Sequence, residues 1–196
     1  MTKLTDLKAR VRLLLEDASA ARFSEDLLET ALRQALEQVN TRLPLLKSLD
    51  YPITTPGRDQ ALSGLEGCRY LVSLSCSPGS AVGQTLEAGS EFSYLVLESG
   101  SVLHFSAADY PQPGDTLNLR YAADHTIEGL DGATVTSLPA SCETALVNGA
   151  AGHACQLRAA SLVERPGSRL EETARLVEIG RLWLDAFERG LGSLRI

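Results

Sequence analysis

The stretch Ser141-Cys142-Glu143-Thr144-Ala145-Leu146-Val147-Asn148-Gly149-Ala150-Ala151-Gly152-His153-Ala154 decides how this chain folds. Ala145, Leu146, Gly149, Ala150, His153 and Ala154 recur at helical spacing, and the pattern runs on through Leu157 and Ala160 to Arg165-Pro166-Gly167. The spacing predicts a helix that starts near Pro139 or Ser141, with Glu143 in its first turn. Its inner face is made of small side chains, which let helix axes approach closely, so it is expected to be the central helix of a bundle.

Toward the C-terminus, Ser168-Arg169-Leu170-Glu171 reads as a capping box that opens a further long helix. Leu170, Ala174, Val177, Leu184 and Phe187 supply its apolar stripe, with Ile179 and Trp183 on adjacent faces. The helix-packing core is therefore read as Gly149, Ala150, His153, Trp183 and Phe187. Gly190 is expected to cap the helix. Residues 191–196 are then left as a mobile tail with no sequence-near element to bury them. Leu191, Leu194, Arg195 and Ile196 of this tail are candidates for docking onto a partner or a neighbouring subunit, ordering as they bind.

Toward the N-terminus, Leu4, Leu7, Val11, Leu14, Leu15 and Ala18 form one amphipathic stripe. A second begins after Ser24, a good N-cap, with Glu25 and Asp26 in the first turn and Phe23 placed to staple onto Leu28. It continues through Ala31, Leu32, Ala35, Leu36 and Val39, and Pro44 ends it. Residues 17–22 are a short connection, so the two helices are expected to pair.

Between these helical ends the period changes to two. Tyr70, Val72, Leu74 and Cys76 alternate with Leu71, Ser73 and Ser75, and Leu117, Leu119 and Tyr121 alternate with Asn118 and Arg120. Phe92–Leu97 and Val102–Phe105 flank a Ser99-Gly100 turn, while Thr55-Pro56-Gly57, Ser77-Pro78-Gly79 and Pro111-Gln112-Pro113-Gly114 mark bends. Four to six antiparallel strands follow, with one face covered and one wet. The chain is thus α+β: a four-helix bundle-like body with an antiparallel β-rich lobe inserted between helices two and three. Residues 1–50 are the N-terminal helical pair, 51–139 the acidic β-rich insertion, 140–190 the long helices completing the body, and 191–196 the tail.

Charge follows the same cut. Residues 51–139 hold three basic and ten acidic side chains, whereas both flanking segments balance, so the net −7 falls in the middle. An acidic chain with a pI near 5.0 argues against a protein that grips nucleic acid. Glu87, Glu91, Glu98, Asp109, Asp115, Asp124, Glu128 and Asp131 either solubilise the lobe or keep DNA from sticking to it. No apolar run reaches the roughly 18 residues needed to cross a bilayer, and Met1–Asp6 enters an amphipathic pattern instead of a signal peptide, which is the profile of a cytosolic product that meets no membrane. Cys68, Cys76, Cys142 and Cys155 lack zinc spacing and read as buried thiols, and no cofactor is expected.

Catalytic groupings are thin. Asp124, His125 and Ser141 contain the residue types of a nucleophilic triad without the Gly-x-Ser-x-Gly elbow, so a hydrolase is the weakest of three readings. His153 with Cys142, Cys155 or His104 is a poor metal set, and a hydrogen-bonded histidine in a helix contact fits better. No Gly-x-x-x-x-Gly-Lys phosphate loop occurs. A small non-viral binding module that uses the β-lobe to hold a protein is the second reading.

The first reading comes from a resemblance. The order of Arg22-Phe23-Ser24-Glu25-Asp26-Leu27-Leu28, Ile53-Thr54-Thr55-Pro56-Gly57, and Ser137-Leu138-Pro139 followed by the Ala/Gly helix resembles the head-to-tail connector (adaptor, head-completion) proteins of tailed bacteriophages over nearly the whole chain. Phe23 stands where many relatives are expected to carry Trp. The resemblance implies a non-enzymatic structural virion protein, made in the host cytoplasm and located in the neck. It also implies a ring, twelvefold on the portal protein, with DNA passing through its lumen unbound and a tail or stopper protein docking below.

Overall fold

The computed structural model describes residues 2–65, 67–77, 84–86, 92–97, 100–106, 110–163 and 170–194. The chain divides into two compact units: a helical unit of Met1–Pro44 and His125–Ile196, and a β unit of Leu45–Asp124 inserted between them in sequence. The insertion therefore starts six residues earlier and ends fifteen residues sooner than 51–139, because Leu45–Pro52 is a strand and residues 125–139 pack with the helices.

In the helical unit, α1 (Leu4–Leu14) is entered through a backbone N–H of Lys3 donating to the Asp6 carboxylate at 3.1 Å. α2 (Glu25–Arg42) starts where the Ser24 hydroxyl oxygen accepts the Leu27 N–H at 3.3 Å, and it stops short of Pro44. Asp17 shapes the turn between them: its carboxylate, almost fully buried, accepts the N–H groups of Ala21, Arg22 and Phe23 and pairs with Arg12. α3 (Ala140–Val163) is buried on several sides, as a central helix must be, and packs most extensively against α4 (Leu170–Ser193) and α2. Ala159, not Ala160, continues its buried face. Arg10 reaches Glu143 across α1 and α3 at 2.7 Å, and Arg42 pairs with Glu188 across α2 and α4.

The stripe expected on α4 is rotated in the structure. Leu170 and Val177 are exposed, and the buried face is Leu176, Ile179, Gly180, Trp183, Leu184, Phe187, Leu191 and Leu194. The spacing that begins at Leu170, Ala174 and Val177 runs next into Arg181, a charge no core accepts unpaired, whereas the adjacent row stays apolar to Leu194. The capping box at Ser168 lies outside the described residues.

Among the described residues the β unit holds seven strands: β1 (Leu45–Pro52), β2 (Asp59–Leu62), β3 (Cys68–Ser77), β4 (Gln84–Leu86), β5 (Phe92–Leu97), β6 (Gly100–Phe105) and β7 (Thr116–Ala123). They form two antiparallel sheets, ordered β1-β7-β3-β4 and β2-β6-β5. Leu74, Leu103, Phe105, Leu117 and Leu119 are the dry centre of their core. The simple alternation expected in β3 is broken by register shifts between Cys68 and Tyr70 and between Leu71 and Ser73, so Leu71 and Leu74 both pack inward while Tyr70 and Val72 stand out. The bends at Ser99 and at Pro78-Gly79 lie outside the described residues.

Candidate interaction surfaces

Close contact between α3 and α4 is set by glycines. A Cβ on Gly149 would sit 3.0 Å from the Phe187 ring and 3.1 Å from Ala35, and one on Gly152 would sit 2.7 Å from Leu184 and 2.9 Å from the Gly180 carbonyl. Ala150 beside them is fully buried. His153 is buried next to Gln38, whose amide N–H donates to the ring Nε2 at 3.1 Å, and burial pushes its pKa below the ordinary value. Gly149, Ala150, His153 and Phe187 thus meet in one region of the helical unit, while Trp183 is half-buried at its margin.

The C-terminal residues differ from the expectation. Helix α4 passes through Gly190 and Gly192 and ends at Ser193, so Gly190 is not a cap. Its missing side chain instead admits Ala145 of α3, whose Cβ would lie 3.1 Å from an added one. Leu191 is 1% exposed and Leu194 packs against the same core, so residues 191–194 are not a loose tail. Arg195 and Ile196 lie outside the described residues.

No catalytic grouping assembles from the candidates. The Asp124 carboxylate pairs with Arg69. The ring nitrogens of His125 lie 3.2 Å from the Ser137 carbonyl oxygen and 3.0 Å from that of Leu43, and its backbone N–H donates to Asn40 at 2.8 Å. His125 therefore ties the end of α2 to the 125–139 segment, which is a structural task. Ser141 is exposed in the first turn of α3. Among the described residues no group of three His, Cys, Asp or Glu is placed to hold a metal ion, and burial raises the Cys155 thiol to about 11, which keeps it protonated.

Acidic residues also redistribute. Glu128 pairs with Lys3 and Asp131 with Arg33, both within the helical unit. The β unit then holds four basic and nine acidic side chains, a net of −5, and the helical unit carries the remaining −2. Glu87, Glu91, Glu98 and Asp109 lie outside the described residues.

Two surfaces escaped the sequence pattern. On the outer face of the four-stranded sheet, Leu46, Tyr70 and Val72 are about half exposed around a buried Ala122. In the helical unit, Arg22, Arg158 and Arg175 line a pocket of mixed polar and apolar character. These arginines are 17 to 153 residues apart in sequence, so no local spacing brings them together.

The SU10 adaptor protein family matches residues 2–196. No curated protein matches the chain. Among solved structures, a chain from the neck of an empty gene transfer agent particle, computed with C6 symmetry, is 15% identical with a TM-score of 0.34, covering 88% of this chain and 87% of its own. A chain from the neck of the native particle, computed with C12 symmetry, is 16% identical with the same TM-score, covering 93% of this chain and 92% of its own.

Proposed function

Because the chain belongs to the SU10 adaptor protein family, we propose that it acts as a ring-forming connector in a virion neck, seated under the portal and offering a platform to the tail or a stopper. The match from residue 2 to residue 196 is the observation that carries this reading. An adaptor is a structural protein, and its work is adhesion between neighbours, not turnover.

Physical roles divide between the two units. The helical unit, closely packed through Gly149, Gly152, Gly180 and Gly190, is a stiff body that can hold a fixed angle to its neighbours in a ring. The β unit carries most of the net negative charge. Like charge around a lumen lets DNA slide, because no attraction to phosphate has to be broken at each step. Docking by the C-terminal residues narrows to Arg195 and Ile196, since Leu191 and Leu194 are committed to the core.

A ring built on a template can use weak pairwise contacts that become strong only when every copy is held in register. Mass photometry of the purified protein, alone and with its cognate portal, tests this. Monomers alone and a multi-copy assembly with portal are expected; a stable dimer that ignores portal contradicts the reading.

A further inference from the structure

A pocket of about 410 Å³ opens on the helical unit, between the α1–α2 turn and one end of α3 and α4. Phe23 and Cys155 are dry groups in its wall, each 1% exposed, and α4 contributes Leu176, Ile179 and Trp183, all half-buried. The size, and a lining that sets these apolar groups beside charged ones, suit a few side chains of a bound segment.

Charge at the pocket is mixed, with positive side chains in excess: Arg22, Arg158 and Arg175 against Glu16 and Glu172. Two of the arginines are locked in place. Arg22 donates to the carbonyl oxygens of Leu15 at 2.7 Å and Glu16 at 2.8 Å. Arg158 donates to the Arg22 carbonyl, lies 5.5 Å over the Phe23 ring and stands 3.9 Å from Glu172. Under them the buried Asp17 holds the backbone of residues 21–23. The site is thus shaped before anything binds, which reduces the ordering cost of binding. Arg175 is exposed and makes no ion pair with another described residue, so it is the guanidinium left to meet an incoming carboxylate.

We propose that this pocket docks a protein segment that carries a carboxylate beside bulky apolar side chains. Charge complementarity selects the carboxylate, and the apolar lining selects its neighbours. Duplex DNA would satisfy the arginines, but its backbone brings no apolar group to cover Trp183 and Leu176. The proposal draws on the adaptor reading only in that an adaptor must grip partners.

Trp183 is the chain's single tryptophan, so its emission reports on this pocket. The probes are acetylated, amidated pentapeptides with glutamate beside Leu, Ile or Phe, their glutamine counterparts, and a 12-base-pair DNA duplex. A saturable change in Trp183 emission is expected with the glutamate peptides, weakened about tenfold in Arg175→Glu and by glutamine replacement, as the loss of one charge-assisted contact implies. Arg175 is exposed, so this variant keeps its fold, which circular dichroism checks. No saturable change, equal binding by Arg175→Glu, or displacement of peptide by the duplex would each overturn the proposal. Peptide binding by a protein that never assembles on portal would uphold the pocket and sink only the ring.

Discussion

The helical unit and the β unit solve packing in opposite ways. Around α3 the contacts are made by what is missing: glycine at 149, 152, 180 and 190 leaves room for Phe187, Leu184, Cys155 and Ala145. In the β unit the contacts are made by bulk, with Leu74, Leu103, Phe105, Leu117 and Leu119 filling the space between the strands. Adding atoms should therefore break the first and removing atoms the second. Apolar side chains reach solvent in both units, Leu46, Tyr70 and Val72 in the β unit and Leu13, Leu170 and Leu182 in the helical one, so the difference lies in the cores and not at the surface.

The largest effect is expected from Gly152→Leu. Its Cβ alone meets the Gly180 carbonyl at 2.9 Å, and a backbone oxygen cannot swing away as a side chain can. Overpacking costs about 1–3 kcal/mol or more even where side chains can adjust, so thermal melting should show the helical unit failing to form. Gly149→Leu and Ala150→Leu should follow, and Gly192→Ala is the contrast. Gly192 is helical with nothing within 4 Å of an added Cβ, so alanine should raise stability by about 0.5–1 kcal/mol. Equal melts for Gly152→Leu and Gly192→Ala would erase the distinction.

Next in size is Leu119→Ala, which removes bulk from the β core and should cost about 2–5 kcal/mol. Hydrogen exchange should rise across residues 45–124 before it rises in α3. Uniform exchange throughout the chain would mean that the two units do not differ in the way argued.

A smaller effect separates the units by pH. Burial opposes ionisation of Asp17, but hydrogen bonds from Phe23, Arg22 and Ala21, with the Arg12 charge, outweigh it and hold the carboxyl below its ordinary 3.8. Such a group stabilises the fold above the unfolded value, and the contribution is lost as pH falls through the folded one. His153 is also depressed, by burial, so the unfolded chain takes up its proton first and stability declines as pH drops below 6.5. Denaturant titrations should show two losses, one starting near neutrality and one in the acid range. Asp17→Asn should lower stability at pH 7 by about 1–3 kcal/mol and flatten the acid limb. An acid limb unchanged in that variant would place the titrating group elsewhere.

Much of this architecture was legible because helix periodicity survives burial. The Ser24 cap, the Leu28–Val39 stripe and the small-residue face of α3 all sit where their spacing puts them. Three features were not legible, each for a tertiary reason. Strand β1 is an edge strand whose inward face, Leu49 and Tyr51, is defined only by pairing with β7. Gly190 looks like a helix stop, yet it is a contact point for Ala145, which no local rule reveals. The arginine-lined pocket joins the α1–α2 turn to α3 and α4, so its chemistry exists only after folding.

Electron cryomicroscopy of portal-bearing heads incubated with the purified protein tests the connector reading most directly. A closed ring of copies beneath the portal vertex is expected, open along its axis, with the acidic β unit free of bound DNA. Heads that gain no density at the vertex while the folded protein stays free in solution would contradict it.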